Sequence, residues 1–292
     1  MPLQTRKLAL LAVLSAALLG GGLPTLSKIG LREIPPFSFI FIRFVLSLLF
    51  LSPLFFKARP KLTRATLPVI LVSLLATANI VLFTFGIRKT TATTAQMLYA
   101  AVPILAAIAS YLLIKERFSS RKISGIALGL GGMLLIVLLP VINRATAIGG
   151  DLIGNLMILV GVASFSIYSV LSKTLQKVYS PQFLTFSFSL TTAAVSLAIA
   201  IAETASQPSW WAGISLGAWL AMAYVAVIGT AAYYLLYQYA IKTGSPVIAS
   251  MTFYLQPIAT YLWSTILLSE RITVSFTIGA ILVLTGAWLT TK

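Results

Sequence analysis

Apolar runs of about twenty residues follow one another almost from end to end of this chain, parted by short polar or basic breaks. A helix rises about 1.5 Å per residue, so such a run crosses roughly 30 Å of hydrocarbon. On that measure the sequence predicts spans near residues 8–29, 36–56, 66–87, 91–114 and 122–142, and again near 151–172, 181–202, 215–240, 246–268 and 273–291. Arg6 and Lys7 precede the first run as they would in a signal peptide. No clear cleavage site and polar mature domain follow it, so it is read as span one. The predicted fold class is all-α: a polytopic membrane protein of ten transmembrane helices.

The ten spans divide into two copies of five. PILAAIASYLLIKER (Pro103 to Arg117) returns as PIATYLWSTILLSER (Pro257 to Arg271). The shift of 154 also aligns Met97 with Met251, Gly125 with Gly279 and Gly132 with Gly286 without a gap. Earlier in each half, LSK at Leu26 to Lys28 matches LSK at Leu171 to Lys173 with a shift of 145, and Pro36 matches Pro181. The difference of nine falls on a longer polar connection around ETASQPSWW (Glu203 to Trp211). The predicted units are residues 1–145 and 146–292. Five spans per copy is an odd number, so the second copy enters the membrane upside down, as in the inverted repeats of secondary transporters.

Composition strengthens the membrane reading. Mean hydropathy is +1.00, and only 9% of residues are charged, where a soluble domain carries about a quarter. The net charge of +16 belongs to loops and anionic headgroups rather than to nucleic acid, because no basic run interleaved with aromatics lies outside the apolar spans. Fourteen of the 21 Lys and Arg fall on the face that holds the N-terminus. Six fall on the other: Lys28, Arg32, Arg88, Lys89, Arg144 and Arg271. That bias predicts cytoplasmic N- and C-termini. Cys and His are both absent, which removes thiolate chemistry and the commonest metal ligand. No metal and no cofactor is expected.

The chain has only five acidic residues, and two of them, Glu116 and Glu270, occupy matching repeat positions. Each lies just before an expected helix start, where a carboxylate accepts backbone N–H bonds and complements the helix dipole. A structural cap and a gating or ion-coupling role are both open. Pro103 and Pro257 lack a backbone donor, so each is expected to kink its span and free a carbonyl one turn earlier, at Tyr99 and Phe253. Arg43 is the one clearly intramembrane charge. It can snorkel, pair with a glutamate or bind a substrate carboxylate.

Polar and aromatic side chains well inside spans are the candidate substrate contacts, since polarity facing lipid costs free energy. In span three Asn79 and Phe83 share a helical face, and their copies in span eight are Tyr233 and Tyr237. Gln96 and Tyr99 in span four, Tyr168 in span six, Gln238 in span eight, and Tyr254 and Gln256 in span nine complete the set. Together they suggest an aromatic cavity with a few amides, suited to a ligand with an apolar body and a polar end. Interhelical hydrogen bonding is the plainer use of the same residues. The glycines of GLGG (Gly129 to Gly132), with Gly279 and Gly286, most simply permit close helix packing.

With these features the chain resembles the EamA-type family of the drug/metabolite transporter superfamily. The likeness rests on the doubled Pro103 and Pro257, the ER that follows each, the glycines after it, Arg43 with Phe44, and Lys28 at the end of span one. It implies a ten-helix transporter of small metabolites, often amino acids, usually moving them outward across the bacterial inner membrane. Where many relatives carry Trp-Gly and Asn in span one, this chain reads GGGLP (Gly20 to Pro24), so their contacts there do not transfer. Family matching gives Arg43 a structural role first; apart from that likeness, Lys28, Lys173, Pro103, Pro257, Glu116 and Glu270 are read as gating or structural.

The function expected is a secondary transporter, most simply an exporter, of small metabolites including aromatic or apolar amino acids. It works by alternating access without obligatory proton coupling, because no carboxylate or His stands mid-span. The rivals are a polyspecific drug transporter and a carrier of nucleotide sugars or phosphorylated metabolites, either of them ion- or exchange-coupled. An enzyme is not expected, for want of catalytic groups at bilayer depth. The expected partners are a small-molecule substrate and membrane lipid, with the chain a monomer or a homodimer.

Overall fold

The computed structural model describes residues 3–57, 66–90, 95, 98–99, 101–143, 152–207, 209–256, 258–259 and 274–290, nearly all of them helical. The first half contains α1 (Leu3–Gly20), α2 (Leu23–Gly30), α3 (Pro36–Lys57), α4 (Leu67–Lys89), α5 (Val102–Ile114) and α6 (Ser120–Asn143). The second contains α7 (Leu152–Leu175), α8 (Pro181–Ser206), α9 (Leu216–Thr243), α10 (Pro246–Ser250) and α11 (Val274–Thr290).

Six helical stretches are long and apolar enough to cross a membrane: Lys7–Gly30, Pro36–Lys57, Leu67–Lys89, Leu152–Leu175, Pro181–Ser206 and Leu216–Thr243. Helix α5 and the Thr277–Gly286 part of α11 are apolar but shorter. The helices turn Leu, Ile and Phe outward as well as inward: Leu49, Phe56, Leu152 and Leu220 are exposed on the outer surface. A helix apolar on all sides belongs in lipid.

Packing follows the repeat. Helix α3 lies on α8, α6 on α11, α4 on α7, and α1 on the last part of α9. By sequence the counterparts are α1–α2 with α7, α3 with α8, α4 with α9, and α6 with α11. Replacing every helix by its counterpart returns the same set of pairs. Small residues set the contact distance. A Cβ placed on Gly286 would stand 2.5 Å from the backbone N of Gly129 and 2.6 Å from the carbonyl O of Gly125. One on Gly132 would stand 2.7 Å from the Gly279 carbonyl. Here α6 and α11 touch backbone to backbone, as close glycine packing in membranes requires.

Several expectations change. Span one is two helices, broken at Gly21 and Gly22, because Pro24 in the first turn of α2 has no N–H to continue the ladder of α1. Pro103 follows a turn at Ala101 that parts it from helical residues 98–99. It stands in the first turn of α5, which begins at Val102 with Ala101 as its cap, where a missing N–H leaves no bond unmade. Glu116 does not cap α6 through backbone N–H groups. Its carboxylate pairs with Lys122, while the Ser119 hydroxyl accepts from the Lys122 N–H at 3.3 Å. Pro257, Glu270 and Gln96 lie outside the described residues.

Candidate functional site

Elements of both halves meet around one internal recess. It is lined by Gly20, Leu23 and Pro24 at the break in span one, Arg43 from α3, and Asn79, Ile80 and Phe83 from α4. Ala95, Tyr99, Phe165 of α7, Tyr233 and Tyr234 of α9, Phe253 and Gln256 close it. Counted with the gaps between side chains and its mouth, the recess encloses about 540 Å³, but the space in which the centre of a water can stand is about 50 Å³. One water needs about 10–15 Å³ on the second measure, so this conformation has room for a few waters and not for a metabolite.

Six aromatic rings form the wall. Tyr99 stacks on Phe253 with ring centroids 5.3 Å apart and meets Phe83 edge-on at 5.8 Å. Phe165 meets Phe253 edge-on at 5.6 Å, and Tyr233 meets Tyr234 at 5.1 Å. Offset and edge-on contacts of this kind hold rings in fixed orientation. The Asn79 amide donates to the Tyr99 hydroxyl at 2.8 Å, which ties α4 to the segment ahead of α5.

The break in span one is built by glycine. A Cβ at Gly20 would lie 2.5 Å from Nε2 of Gln256 and 2.8 Å from the Tyr233 ring. Only a hydrogen there lets both side chains reach the recess. The break frees the Leu19 carbonyl, and the Tyr224 hydroxyl donates to it at 2.9 Å. An unsatisfied carbonyl would be costly away from water.

Arg43 is 1% exposed. Its Nε donates to the Thr230 hydroxyl oxygen at 2.5 Å, and that hydroxyl donates in turn to the Val225 carbonyl at 2.7 Å. Residues Tyr224–Ala232 are wound as a π-helix, a rare geometry that recurs at functional sites. The guanidinium carbon stands 5.3 Å from the Phe44 ring centroid, and Nη2 has no hydrogen-bond partner. Among the described residues no carboxylate lines the recess.

Of the residues singled out by sequence, the recess gathers Asn79, Phe83, Tyr99, Tyr233 and Gln256. Four others do not line it. Gln238 donates to the Tyr168 hydroxyl at 2.7 Å and to Ser172 at 3.1 Å, and it accepts from Gln176 at 2.7 Å. Tyr237 shares a 3.0 Å hydrogen bond with Ser169. These three residues join α9 to α7, the plainer use considered above. Tyr254 packs where a Cβ on Gly129 would stand, 2.5 Å from its ring. Sequence reasoning missed Phe165, Tyr234, Phe253 and the Gly20–Pro24 break as lining. Span-one glycines beside a proline were the one available signal.

The charged residues at helix ends have structural partners. Lys28 donates to the Thr90 carbonyl at 3.1 Å at the end of α4. Its repeat partner Lys173 donates to the carbonyls of Ile241, Lys242 and Gly244 at 2.7, 3.1 and 2.9 Å, at the end of α9. Glu33 accepts from the N–H and hydroxyl of Ser215 at 2.7 and 2.8 Å, and these bonds, the backbone one foremost, hold its carboxyl below the usual carboxylate range. Glu203 accepts from the N–H groups of Phe37 and Ser38 at 3.1 and 2.8 Å. Glu116 leaves Oε2 buried without a partner beside its Lys122 pair.

Comparison with known proteins follows the same doubling. The EamA-like transporter family matches residues 7–138 and again 152–292. The chain is 28% identical over 208 residues to the uncharacterized transporter YyaM of Bacillus subtilis, covering 70% of this chain and 66% of that protein, just under two thirds of its length. It is 26% identical to an uncharacterized transporter of Archaeoglobus fulgidus over 90% of both chains. A WAT1-related protein of Arabidopsis thaliana is 24% identical over 96% of this chain and 89% of its own. A solved crystal structure superposes with a TM-score of 0.79 at 20% identity, covering 96% of this chain and 95% of that one, and shares the fold.

Proposed function

This chain belongs to the EamA-like transporter family, and from that premise we propose that it is a secondary transporter of small metabolites, with aromatic and apolar amino acids in its range. The observation that carries the reading is the recess itself: six rings, two amides and one cation, contributed by both halves. Such a wall suits a solute with a flat apolar body and a polar end.

Alternating access is supported by the symmetry of helix pairing and by the size of the recess. Two halves that pack through the same set of pairs after exchange have two equivalent ways to rock. A space of about 50 Å³ must widen before a metabolite enters, as an occluded state must. The proposal includes ten spans in two oppositely threaded copies, with both termini in the cytoplasm of a bacterial inner membrane, and export as the direction.

Proton coupling is not required. The described carboxylates Glu33, Glu116 and Glu203 stand at helix ends with partners of their own, away from the recess. A nucleotide-sugar or phosphorylated substrate calls for several cations around one pocket, and Arg43 is the one among the described lining residues. Among the described residues no constellation of nucleophile and base lines the recess, and we do not propose an enzyme.

Counterflow in proteoliposomes tests the reading. Preloaded aromatic or apolar amino acids are expected to draw in labelled solute, and an imposed pH gradient without a solute gradient is expected to drive none. Absence of flux for amino acids, nucleotides and organic cations alike would overturn the transporter reading; uphill accumulation driven by pH alone would overturn the uncoupled mechanism.

A further inference from the structure

We infer that Arg43 is the anchor for an anionic group on the transported molecule, so that the preferred substrates are organic acids whose single carboxylate sits on a flat apolar body. The inference rests on the transporter reading above and adds the charge of the cargo.

A guanidinium that is 1% exposed in a bilayer protein needs an anion, because an isolated buried charge is far more costly than a paired one. The protein supplies little. The chain contains five acidic residues in all, and the three within the described residues are committed elsewhere: Glu33 to Ser215, Glu203 to Phe37 and Ser38, Glu116 to Lys122. Among the described residues the side-chain hydrogen bond of Arg43 runs through Nε to Thr230, a neutral hydroxyl, and its other polar neighbours are the phenols Tyr234 and Tyr99. That bond fixes the fork from one side, and Nη2 is left without a partner on a residue that lines the recess. A buried guanidinium held through Nε, with Nη2 unpartnered, is the kind of donor that a carboxylate oxygen satisfies.

The opposite requirement is missing. An ammonium group on the solute would be balanced by a carboxylate, and none lines the recess among the described residues. The lining rings, Tyr99 stacked on Phe253 among them, instead give an apolar wall for the apolar body. The amino group of an amino acid is thus tolerated rather than selected.

The test compares three solutes that share one ring and differ in charge: phenylalanine, 3-phenylpropionate and phenethylamine. Two readouts are taken on the whole protein, counterflow in proteoliposomes and ligand-induced thermal stabilisation in micelles. The two carboxylates are expected to be moved and to stabilise, with phenethylamine weaker in both. In Arg43→Gln the carboxylate response is expected to fall by at least about thirtyfold, the loss typical of removing one partner of a buried charge pair. Arg43→Lys is expected to restore part of it.

Equal handling of the amine and the acids by the native protein overturns the inference, and so does a folded Arg43→Gln that keeps the carboxylate response. In both cases flux itself leaves the transporter reading standing. Carboxylate-specific stabilisation without any flux upholds the anchor and sinks transport. Absence of both overturns the two together. Should Arg43→Gln fail to fold, the comparison of acid with amine on the native protein decides alone.

Discussion

The carboxylate of Glu203, at the end of α8, accepts from both the N–H and the hydroxyl of Ser38, in the first turn of α3, at 2.8 and 3.1 Å. One residue thus ties the second half of the chain to a helix N-terminus of the first. Glu33 makes the reciprocal connection, from the first half to the N-terminus of α9 at Ser215. Both lie at the same end of the bundle, because Glu33 sits in the turn that leads into α3. An anion at a helix N-terminus satisfies donors that the helix itself cannot. Two such ties cross between the halves at one end of the bundle, and they are expected to hold that end closed.

Glu203→Ala is therefore expected to lower stability by about 1–3 kcal/mol, the cost of leaving partly buried donors unpaired, and Glu203→Gln by less. Thermal unfolding in micelles checks the first effect. The chain has no cysteine, so Ser38→Cys is a lone reporter. Its labelling by a membrane-impermeant maleimide is expected to quicken in the Glu203→Ala background, and an unchanged rate would deny that the tie keeps this end shut.

Glu33 gives the second tie a pH dependence with a definite sign. Its carboxyl is held below the usual carboxylate range by the Ser215 N–H and hydroxyl. A carboxylate depressed in the folded state adds stability above its unfolded pKa and loses it as pH falls through the folded value. Unfolding curves of the native protein are expected to lose stability on acidification below about pH 4.5 in a way that Glu33→Gln does not share. Identical pH profiles for the two proteins would show that the bonds to Ser215 do not form.

The bundle and its doubling were legible in the sequence because lipid demands apolar runs of a fixed length and the repeat is ungapped over the second part of each half. The recess was legible in part. Asn79, Phe83, Tyr99, Tyr233 and Gln256 were found because a polar or aromatic group in mid-span must face protein. The same rule admitted Tyr168, Tyr237 and Gln238, which also face protein but bond between α7 and α9. Periodicity names the inner face of a helix without saying which inner neighbour each residue meets. Tyr237 is one turn past Tyr233, and that turn carries it from the recess to Ser169. The π-wound stretch Tyr224–Ala232 has no sequence signature, so the hold of Thr230 on Arg43 was invisible. Phe165 and Phe253 were lost among many apolar rings.

Glycine packing of α6 on α11 predicts a sharp contrast between neighbours. An Ala at Gly132 brings its methyl to 2.7 Å from the Gly279 carbonyl, which is backbone and cannot swing away, whereas a Cβ at Gly131 meets nothing within 4 Å. Gly132→Ala is expected to cost about 1–3 kcal/mol, the usual penalty for forcing extra volume into a packed interface. Gly131→Ala is expected to be neutral or slightly stabilising, since Ala is the better helix former. Thermal unfolding of the two single variants is the measurement, and equal stabilities would place the contact elsewhere.

The repeated LSK supplies the last contrast. Lys28 and Lys173 are the same residue in the two copies, and each reaches the C-terminal carbonyls of the third long span in its own half. They do so unequally. Lys173 donates to three carbonyls between 2.7 and 3.1 Å, and Lys28 to one, at 3.1 Å. A cation at a helix C-terminus satisfies acceptors left open and opposes the negative end of the dipole. Methionine keeps most of the length and the apolar character of the lysine stem but brings no donor. Lys173→Met is expected to lose about 1.5–3 kcal/mol, the range for a hydrogen bond to a charged group, and Lys28→Met distinctly less. Unfolding of each single variant and of the pair measures both. The losses should add, because the two lysines cap different helices at opposite ends of the bundle and share no partner. A larger loss from Lys28→Met would mean that the two ends of the repeat are not held as the hydrogen bonds indicate.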